Sequence, residues 1–213
     1  MSSFYFKRIP HVFRVLFPSV IWSGDKGKQT LYLTFDDGPS THSTTQLLDI
    51  LSEREVSATF FLSGSEVDHN PDLVQKIIDN NHQIANHAYH HVHGKSLGVN
   101  QFVDAVDCTQ ELIKQYVPVS PKLFRPPYGE LSFRQYRAIR SAGYKVVMWS
   151  LMPGDFDTYI TDQECLDILT RHTKAGDIIV LHDNEKCIER LKLILPQYLE
   201  YCLSRGYRFE LLK

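Results

Sequence analysis

Short apolar segments rich in β-formers alternate with amphipathic helical segments along most of the chain, and this alternation constrains the fold more than any other feature. The segments 56–62 (VSATFFL) and 178–182 (IIVLH) are almost wholly apolar, as strands covered on both faces must be. Strands that alternate with helices predict a parallel sheet with helices outside it. About seven such units predict an α/β fold that is a closed or nearly closed barrel.

The predicted strands occupy residues 29–35, 56–62, 82–86, 122–125, 144–149, 178–182 and 207–212. The predicted helices occupy residues 44–54, 72–80, 100–116, 133–142, 161–172 and 185–204, with an interruption of the last at Pro196. Catalytic groups in such barrels lie at the C-terminal ends of the strands. The polar residues that end the apolar segments are therefore the candidates for function.

The barrel pattern begins near Gln29, which divides the chain into an N-terminal extension, 1–28, and one catalytic domain, 29–213. The extension is aromatic and basic, and we expect it to pack its aromatic side chains on the domain. Contact of residues 1–22 with a membrane surface is the alternative. This segment has no continuous apolar core of a signal peptide, and no apolar run is long enough to span a bilayer. We therefore expect a cytoplasmic protein without a transmembrane segment.

The charge balance argues against a nucleic-acid partner. The chain carries 23 basic and 25 acidic residues, so its net charge of −2 creates no overall field that attracts a polyanion. None of the four cysteines, Cys108, Cys165, Cys187 and Cys202, belongs to a CxxC pair. We expect reduced and mostly buried thiols.

Two of the strand-end motifs suggest a metal site. Asp36 and Asp37 are adjacent carboxylates at the end of an apolar strand, a costly arrangement unless a cation or hydrogen-bond donors compensate. His87 and His91 are four residues apart, so one helical turn or a tight loop places both imidazoles on one face. This is the spacing of a two-histidine metal clamp, for which either aspartate can supply the third ligand.

Three further motifs suggest acid–base and substrate-binding groups. Arg125 can hold a carboxylate ionised, and Tyr128 offers the first N–H after two prolines, as an oxyanion site needs. The alternative for this loop is a rigid proline turn with a structural salt bridge. Trp149 and Phe156 suit the apolar faces of sugar rings. His182 ends an apolar strand and is positioned for acid–base chemistry, although a packed rim histidine is the alternative.

Taken in order, TFDDG at 34–38, HxxxH at 87–91, RPPYG at 125–129, the segment led by Trp149, and LHD at 181–183 resemble the polysaccharide deacetylase family. This family is also called carbohydrate esterase family four, or the NodB-homology domain. The resemblance covers residues 29–213. It implies a distorted (β/α) barrel, typically with seven parallel strands and helices outside, and a metal-dependent hydrolase. The reaction would remove acetyl groups, most often N-acetyl groups, from an acetylated polysaccharide or oligosaccharide.

The resemblance also implies a role for each matched residue. One divalent metal, with zinc preferred and cobalt, nickel or iron as alternatives, would be held by Asp37, His87 and His91. The other implied roles are Asp36 as general base, Arg125 as the residue that orients it, Tyr128 as backbone donor to the oxyanion, His182 as general acid, and Leu181 as lining of the pocket for the acetyl methyl. Trp149, Phe156 and Asp155 would contact the substrate.

One motif departs from the family pattern. Met152 and Phe156 stand where the family often has an aspartate and a tryptophan, while Asp155 is kept. The missing carboxylate usually supports the acid histidine, so we predict a weaker anchor and a lower pKa for His182 unless Asp155, Asp157 or another carboxylate replaces it.

Two alternative functions stay open at this point. One is an amidase that acts on a non-sugar linear or cyclic amide, and the other is a catalytically impaired carbohydrate-binding protein. The sequence does not choose among peptidoglycan, chitin-like oligomers, surface polysaccharide and acetyl-xylan, nor does it indicate the oligomeric state.

Overall fold

A computed structural model describes residues 5–119 and 121–213, and its centre is a parallel sheet of seven strands. The strands are β1 (Thr30–Asp36), β2 (Thr59–Leu62), β3 (Gln83–Asn86), β4 (Leu123–Phe124), β5 (Lys145–Val146), β6 (Ile178–His182) and β7 (Arg208–Phe209). Their order is β5-β4-β3-β2-β1-β6, and β7 pairs with the start of β1. Every strand pair is parallel. The predicted α/β barrel with about seven parallel strands is confirmed.

Eight α-helices lie among the described residues. They are α1 (His11–Leu16), α2 (Thr44–Ser52), α3 (Gly64–His69), α4 (Pro71–Asp79), α5 (Val99–Tyr116), α6 (Phe133–Ser141), α7 (Asp162–His172) and α8 (Ile188–Ser204). The helices α6 and α7 begin with capping boxes, Ser132 with Gln135 and Thr161 with Glu164. The helices α1 and α3 were not predicted, because each is only six residues long and carries little periodicity.

The predicted interruption of the last helix at Pro196 is wrong. The helix α8 continues through this proline, which cannot donate a backbone hydrogen bond. Leu195 and Tyr198 on either side are fully buried, and they keep the helix packed on the sheet. Packing here outweighs the local cost of the proline.

Residues of the N-terminal extension help to close the barrel between β5 and β6. The Ile21 N–H donates to the Val146 carbonyl at 2.9 Å, and the Met148 N–H donates to the Ile21 carbonyl at 2.8 Å. Ser23 then forms an antiparallel bridge with Asp177, just before β6. Residues 1–4 lie outside the described residues, and the boundary between extension and catalytic domain stays a prediction. Among the described helices, none combines the length and apolar character needed to cross a bilayer.

Strand alternation sorts the side chains of the barrel between its outside and its inside. Leu33 and Phe35 of β1 belong to the large core beneath the helices, while Tyr32 belongs to a smaller cluster with Phe61 of β2. The same alternation directs Asp36 to the inside of the barrel, at the C-terminal end of β1. The site is therefore placed by the register of the strands.

Asp183 ties the end of β6 to β1 and α2. Its N–H donates to the Asp36 carbonyl at 2.7 Å, and its buried carboxylate accepts hydrogen bonds from the hydroxyls of Ser43 and Thr44. Burial raises the pKa of Asp183 to about 7, although both hydroxyls favour the ionised form.

This pKa predicts how Asp183 affects stability. Because the folded-state pKa lies above the ordinary 3.8, the stabilisation is fully present below pH 3.8 and is lost as the pH rises through about 7. Between pH 5 and pH 8, the free energy of unfolding of the wild type should fall by about 2 kcal/mol more than that of Asp183→Asn. Urea denaturation of both proteins in the presence of a chelator measures this difference. Parallel pH curves would contradict the assignment.

Candidate active site

A cavity of about 500 Å³ opens at the C-terminal ends of the strands. It is lined by Tyr5, Asp36, Asp37, His87, His91, Pro126, Tyr128, Gly129, Trp149, Met152, Phe156, Val180, His182, Asn184 and Lys186. Most of the predicted site residues thus meet in one place. Arg125 and Asp155 lie behind the lining, and Leu181 is elsewhere.

A buried ion pair forms the floor of the site. Arg125 follows β4, is fully buried, and donates from Nη1 to Asp36 Oδ1 at 2.6 Å and to Thr34 Oγ1 at 2.8 Å. Its guanidinium lies 4.1 Å from the centre of the Phe61 ring. Burial lowers the pKa of Arg125, and the Asp36 carboxylate opposes this shift. Because breaking a buried pair leaves an uncompensated charge, each partner holds the other in place.

Asp37 points away from Asp36, toward the histidine loop. Its φ of 81° lies in the left-handed region, which lets two consecutive carboxylates serve different partners. Its Oδ1 lies 3.2 Å from His91 Nε2 and 3.6 Å from His87 Nε2, while Oδ2 accepts from Asn184 Nδ2 at 2.8 Å. Desolvation raises the pKa of Asp37, but the surrounding imidazoles outweigh it, so the pKa is lower than usual.

The two histidines lie on a tight loop after β3, one of the two arrangements that the spacing predicted. Ala88 in this loop has a φ of 64°, and its N–H donates to Asn86 Oδ1 at 2.9 Å. His87 Nδ1 lies 2.7 Å from the Arg125 carbonyl. That carbonyl can only accept, so Nδ1 carries the proton and Nε2 turns its lone pair toward Asp37. Burial lowers the pKa of His87, which favours this neutral form.

These three side chains form a set of potential metal ligands. One ligand atom from each of Asp37, His87 and His91 lies within 4.8 Å of the others. Asp37 Oδ1 is buried and has no hydrogen-bond partner among the described residues. A buried carboxylate oxygen without a donor is costly, so a cation at this point would remove an unfavourable feature.

His182 at the end of β6 is firmly anchored, and Asp155, one of the carboxylates considered as a replacement for the one missing at Met152, is the residue that holds it. Its Nδ1 lies 2.9 Å from Asp155 Oδ1, and its backbone N–H donates to Asp155 Oδ2 at 2.8 Å. Burial lowers the pKa of His182, but the Asp155 carboxylate outweighs burial, so the pKa is raised to about 9. The Phe156 ring packs edge-on against the imidazole, with 5.1 Å between centroids.

The predicted role of Asp155 as a substrate-binding residue is therefore wrong. Its side chain is buried and gives one oxygen each to the ring and the backbone of His182. Asp155 is a positioning residue for His182. Met152 instead lines the cavity, and its N–H donates to the Lys7 carbonyl at 2.9 Å.

Arg190 of α8 fixes the loop that carries Asp155. Its guanidinium donates to the carbonyl groups of Gly154, Asp155, Asp157 and Ile160 and to the Asp162 carboxylate. No sequence signal indicated this residue, because an arginine within a long helix is ordinarily solvated. Its role appears only once α8 is packed beside the loop.

The predicted role of Leu181 is also wrong. Leu181 is fully buried in the core beneath the helices, whereas its neighbour Val180 lines the cavity. In β6, side chains two residues apart share a face, so the residue that joins His182 on the inside is Val180. The two-residue period of a strand, applied to residues 178–182, would have identified Val180 as the inward residue.

Aromatic side chains form the rim. Trp149 and Phe156 line the cavity as expected, and the Tyr128 side chain lies beside them, 51% exposed and stacked on His93 at 3.9 Å. Tyr128 has a φ of 58°, a left-handed conformation within the proline loop. Tyr5 of the N-terminal extension was not anticipated, and its ring lies 5.3 Å from that of Phe156.

Comparisons with known protein sequences all indicate one family. Residues 23–147 match the family model described as polysaccharide deacetylase. A peptidoglycan-N-acetylglucosamine deacetylase of Bacillus cereus is 30% identical over 191 residues, which are 89% of each chain. A chitooligosaccharide deacetylase of Rhizobium leguminosarum bv. trifolii is 33% identical over 155 residues, covering 73% of this chain and 72% of that one.

Comparison of three-dimensional structures indicates the same family and covers more of the chain. The crystal structure of a peptidoglycan N-acetylglucosamine deacetylase superposes with a TM-score of 0.83 at 27% identity, covering 96% of this chain and 95% of that one. The resemblance inferred from the motifs is confirmed, and the chain belongs to the polysaccharide deacetylase family.

Proposed function

We propose that this protein is a metal-dependent hydrolase that removes N-acetyl groups from a sugar polymer or oligomer. One observation carries the proposal: the Arg125-bound carboxylate of Asp36, the ligand set around Asp37 and the anchored His182 all face a single cavity. Relatives named as peptidoglycan and chitooligosaccharide deacetylases support an N-acetylated sugar as the substrate class.

Asp37, His87 and His91 would hold one divalent metal. Two imidazoles and one carboxylate form a ligand set that suits zinc and leaves positions open, as catalytic zinc sites do. Cobalt, nickel and iron also suit this set, because affinity alone does not select the metal. The bound cation would supply Lewis acidity, polarising the acetyl carbonyl and making water more acidic.

Asp36 is suited to act as the general base. It lines the cavity, and Arg125 holds one of its oxygens at 2.6 Å, which fixes the carboxylate and leaves the other oxygen to accept a proton from the attacking water. The Tyr128 N–H, presented by the rigid proline loop, would donate to the oxyanion that develops on the acetyl oxygen.

His182 is suited to act as the general acid. An amide nitrogen leaves readily only if it is protonated as the bond to carbon breaks. Because Asp155 raises the pKa of His182, the imidazole is protonated near neutral pH. Nδ1 is engaged by Asp155, so Nε2 is the nitrogen that delivers the proton.

The apolar side chains of the cavity suit an acetylated sugar. Val180 and Met152 lie in the wall and can contact the acetyl methyl, while the rings of Trp149, Phe156 and Tyr5 can cover the apolar faces of sugar units. A small non-sugar amide would leave much of this aromatic rim unused, which favours the sugar over the alternative amidase substrate.

We expect acetate release from N-acetylglucosamine oligomers or peptidoglycan fragments, lost with chelator and restored by zinc, and much weaker release from small non-sugar amides. Mass spectrometry of the products measures this. His87→Ala should lose both bound metal, by elemental analysis, and acetate release. His90→Ala, an exposed histidine of the same loop, is the matched control and should keep both. A metal-loaded, active His87→Ala protein, or activity confined to non-sugar amides, would contradict the proposal.

Substitution of Asp155 tests the proposal that His182 is the general acid. Asp155→Asn removes the anion that raises the pKa of His182, so the protonated imidazole should disappear at lower pH. The basic limb of the kcat/KM profile for amide substrates should move to lower pH by about 1 unit or more, with the metal content unchanged. Asp157→Asn changes a carboxylate two residues away that accepts from the Tyr159 N–H and the Tyr5 hydroxyl and not from His182, so the pH of its basic limb should match that of wild type. An unmoved limb in Asp155→Asn would exclude His182 as the acid.

A further inference from the structure

Basic charge is concentrated in two chain segments, 5–23 and 131–148, which we call the cationic face. They carry seven of the 23 basic residues and none of the 25 acidic residues, so their charge is +7 while the rest of the chain carries −9. The basic residues are Lys7, Arg8, Arg14, Arg134, Arg137, Arg140 and Lys145. A protein with a net charge near zero thus has one strongly polarised region.

The two segments are neighbours in space. The Phe17 ring meets the Tyr136 ring of α6 at 6.1 Å, and the Arg140 guanidinium donates to the Ser19 carbonyl at 3.2 Å. Ile21 bridges to Val147 in the barrel wall. Arg14 of α1 and the three arginines of α6, Arg134, Arg137 and Arg140, therefore lie on neighbouring elements.

The helix α1 presents an uncovered apolar stripe within this region. Val12, Val15 and Leu16 follow the i, i+3, i+4 pattern and are 55%, 64% and 64% exposed. Phe13, on another side of α1, packs against Trp22 at 6.5 Å and holds the helix on the domain. Phe133 at the start of α6 is another exposed apolar side chain, at 66%.

Most basic side chains of the cationic face form no ion pair with other described residues. Arg8 forms a bidentate pair with Asp177, at 2.7 and 2.9 Å. Arg134, Arg137 and Lys145 are exposed and form no ion pair within the described parts of the chain. Unpaired cations beside exposed aliphatic side chains need an anionic partner that also accepts apolar groups.

We propose that the cationic face docks on an anionic phospholipid surface. Exposed valine and leucine would stay in water against a nucleic acid or another polyanion, whereas a lipid interface takes up both aliphatic side chains and basic ones. The extension that carries α1 also supplies Tyr5 to the cavity wall, so the docking segment is continuous in sequence with the cavity lining.

Vesicle flotation tests this proposal without any substrate, so its outcome is independent of the proposed reaction. We expect partitioning onto phosphatidylglycerol–phosphatidylcholine vesicles at least about 10-fold stronger than onto phosphatidylcholine vesicles, and weaker in high salt. The triple variant Val12→Ser, Val15→Ser, Leu16→Ser should lose about 10-fold or more, as should Arg134→Gln with Arg137→Gln.

The matched control changes exposed apolar residues elsewhere, Val119→Ser with Leu193→Ser, which should bind vesicles like wild type. Circular dichroism and thermal unfolding confirm that every variant is folded. Equal partitioning onto both kinds of vesicle, or wild-type binding by the triple variant, would overturn the proposal. Competition with soluble polyphosphate gives a further test. If polyphosphate displaces the vesicles and binds the triple variant as tightly as wild type, the cationic face is a general polyanion site and the proposal is overturned.

Discussion

The buried ion pair between Arg125 and Asp36 is the interaction on which the rest of the site depends. Two adjacent carboxylates at the end of an inner strand would repel each other and resist burial. Arg125 compensates one of them, and the left-handed backbone of Asp37 turns the other toward the histidines. One carboxylate is thereby fixed in position for the proposed role of base, while the other keeps an oxygen without a hydrogen-bond donor, where a cation would fit.

The same few residues connect both halves of the site. The Arg125 carbonyl fixes the tautomer of His87, so the residue that holds Asp36 also orients one of the proposed metal ligands. On the opposite side, Asp155 holds His182 by ring and backbone. Arg190 in turn binds four carbonyl groups of the Asp155 loop, so the proposed acid is positioned by a long helix of the scaffold.

The strands and the clustering of His87 and His91 beside Asp37 were predictable because they depend on local periods and spacings. Apolar segments located the sheet, and the four-residue interval between His87 and His91 indicated that the two imidazoles lie together. The sequence named Asp155 and Asp157 as possible anchors of His182 but could not choose between them, because the choice depends on the path of their loop. Leu181 was wrongly predicted to line the cavity because it was assigned by motif matching alone. The two-residue period of a strand assigns the inward position to Val180. The contribution of Tyr5 depends on long-range chain packing, which no local pattern records.

Two conservative variants decide whether Asp36 is a base and not a metal ligand. Metal content, by elemental analysis, and acetate release should be measured on Asp36→Asn and Asp37→Asn side by side. We expect Asp36→Asn to keep its metal and to lose ~10²–10⁴-fold in turnover, and Asp37→Asn to lose the metal. An Asp36→Asn protein that releases its metal, or that keeps both its metal and wild-type turnover, would show that Asp36 is not the base.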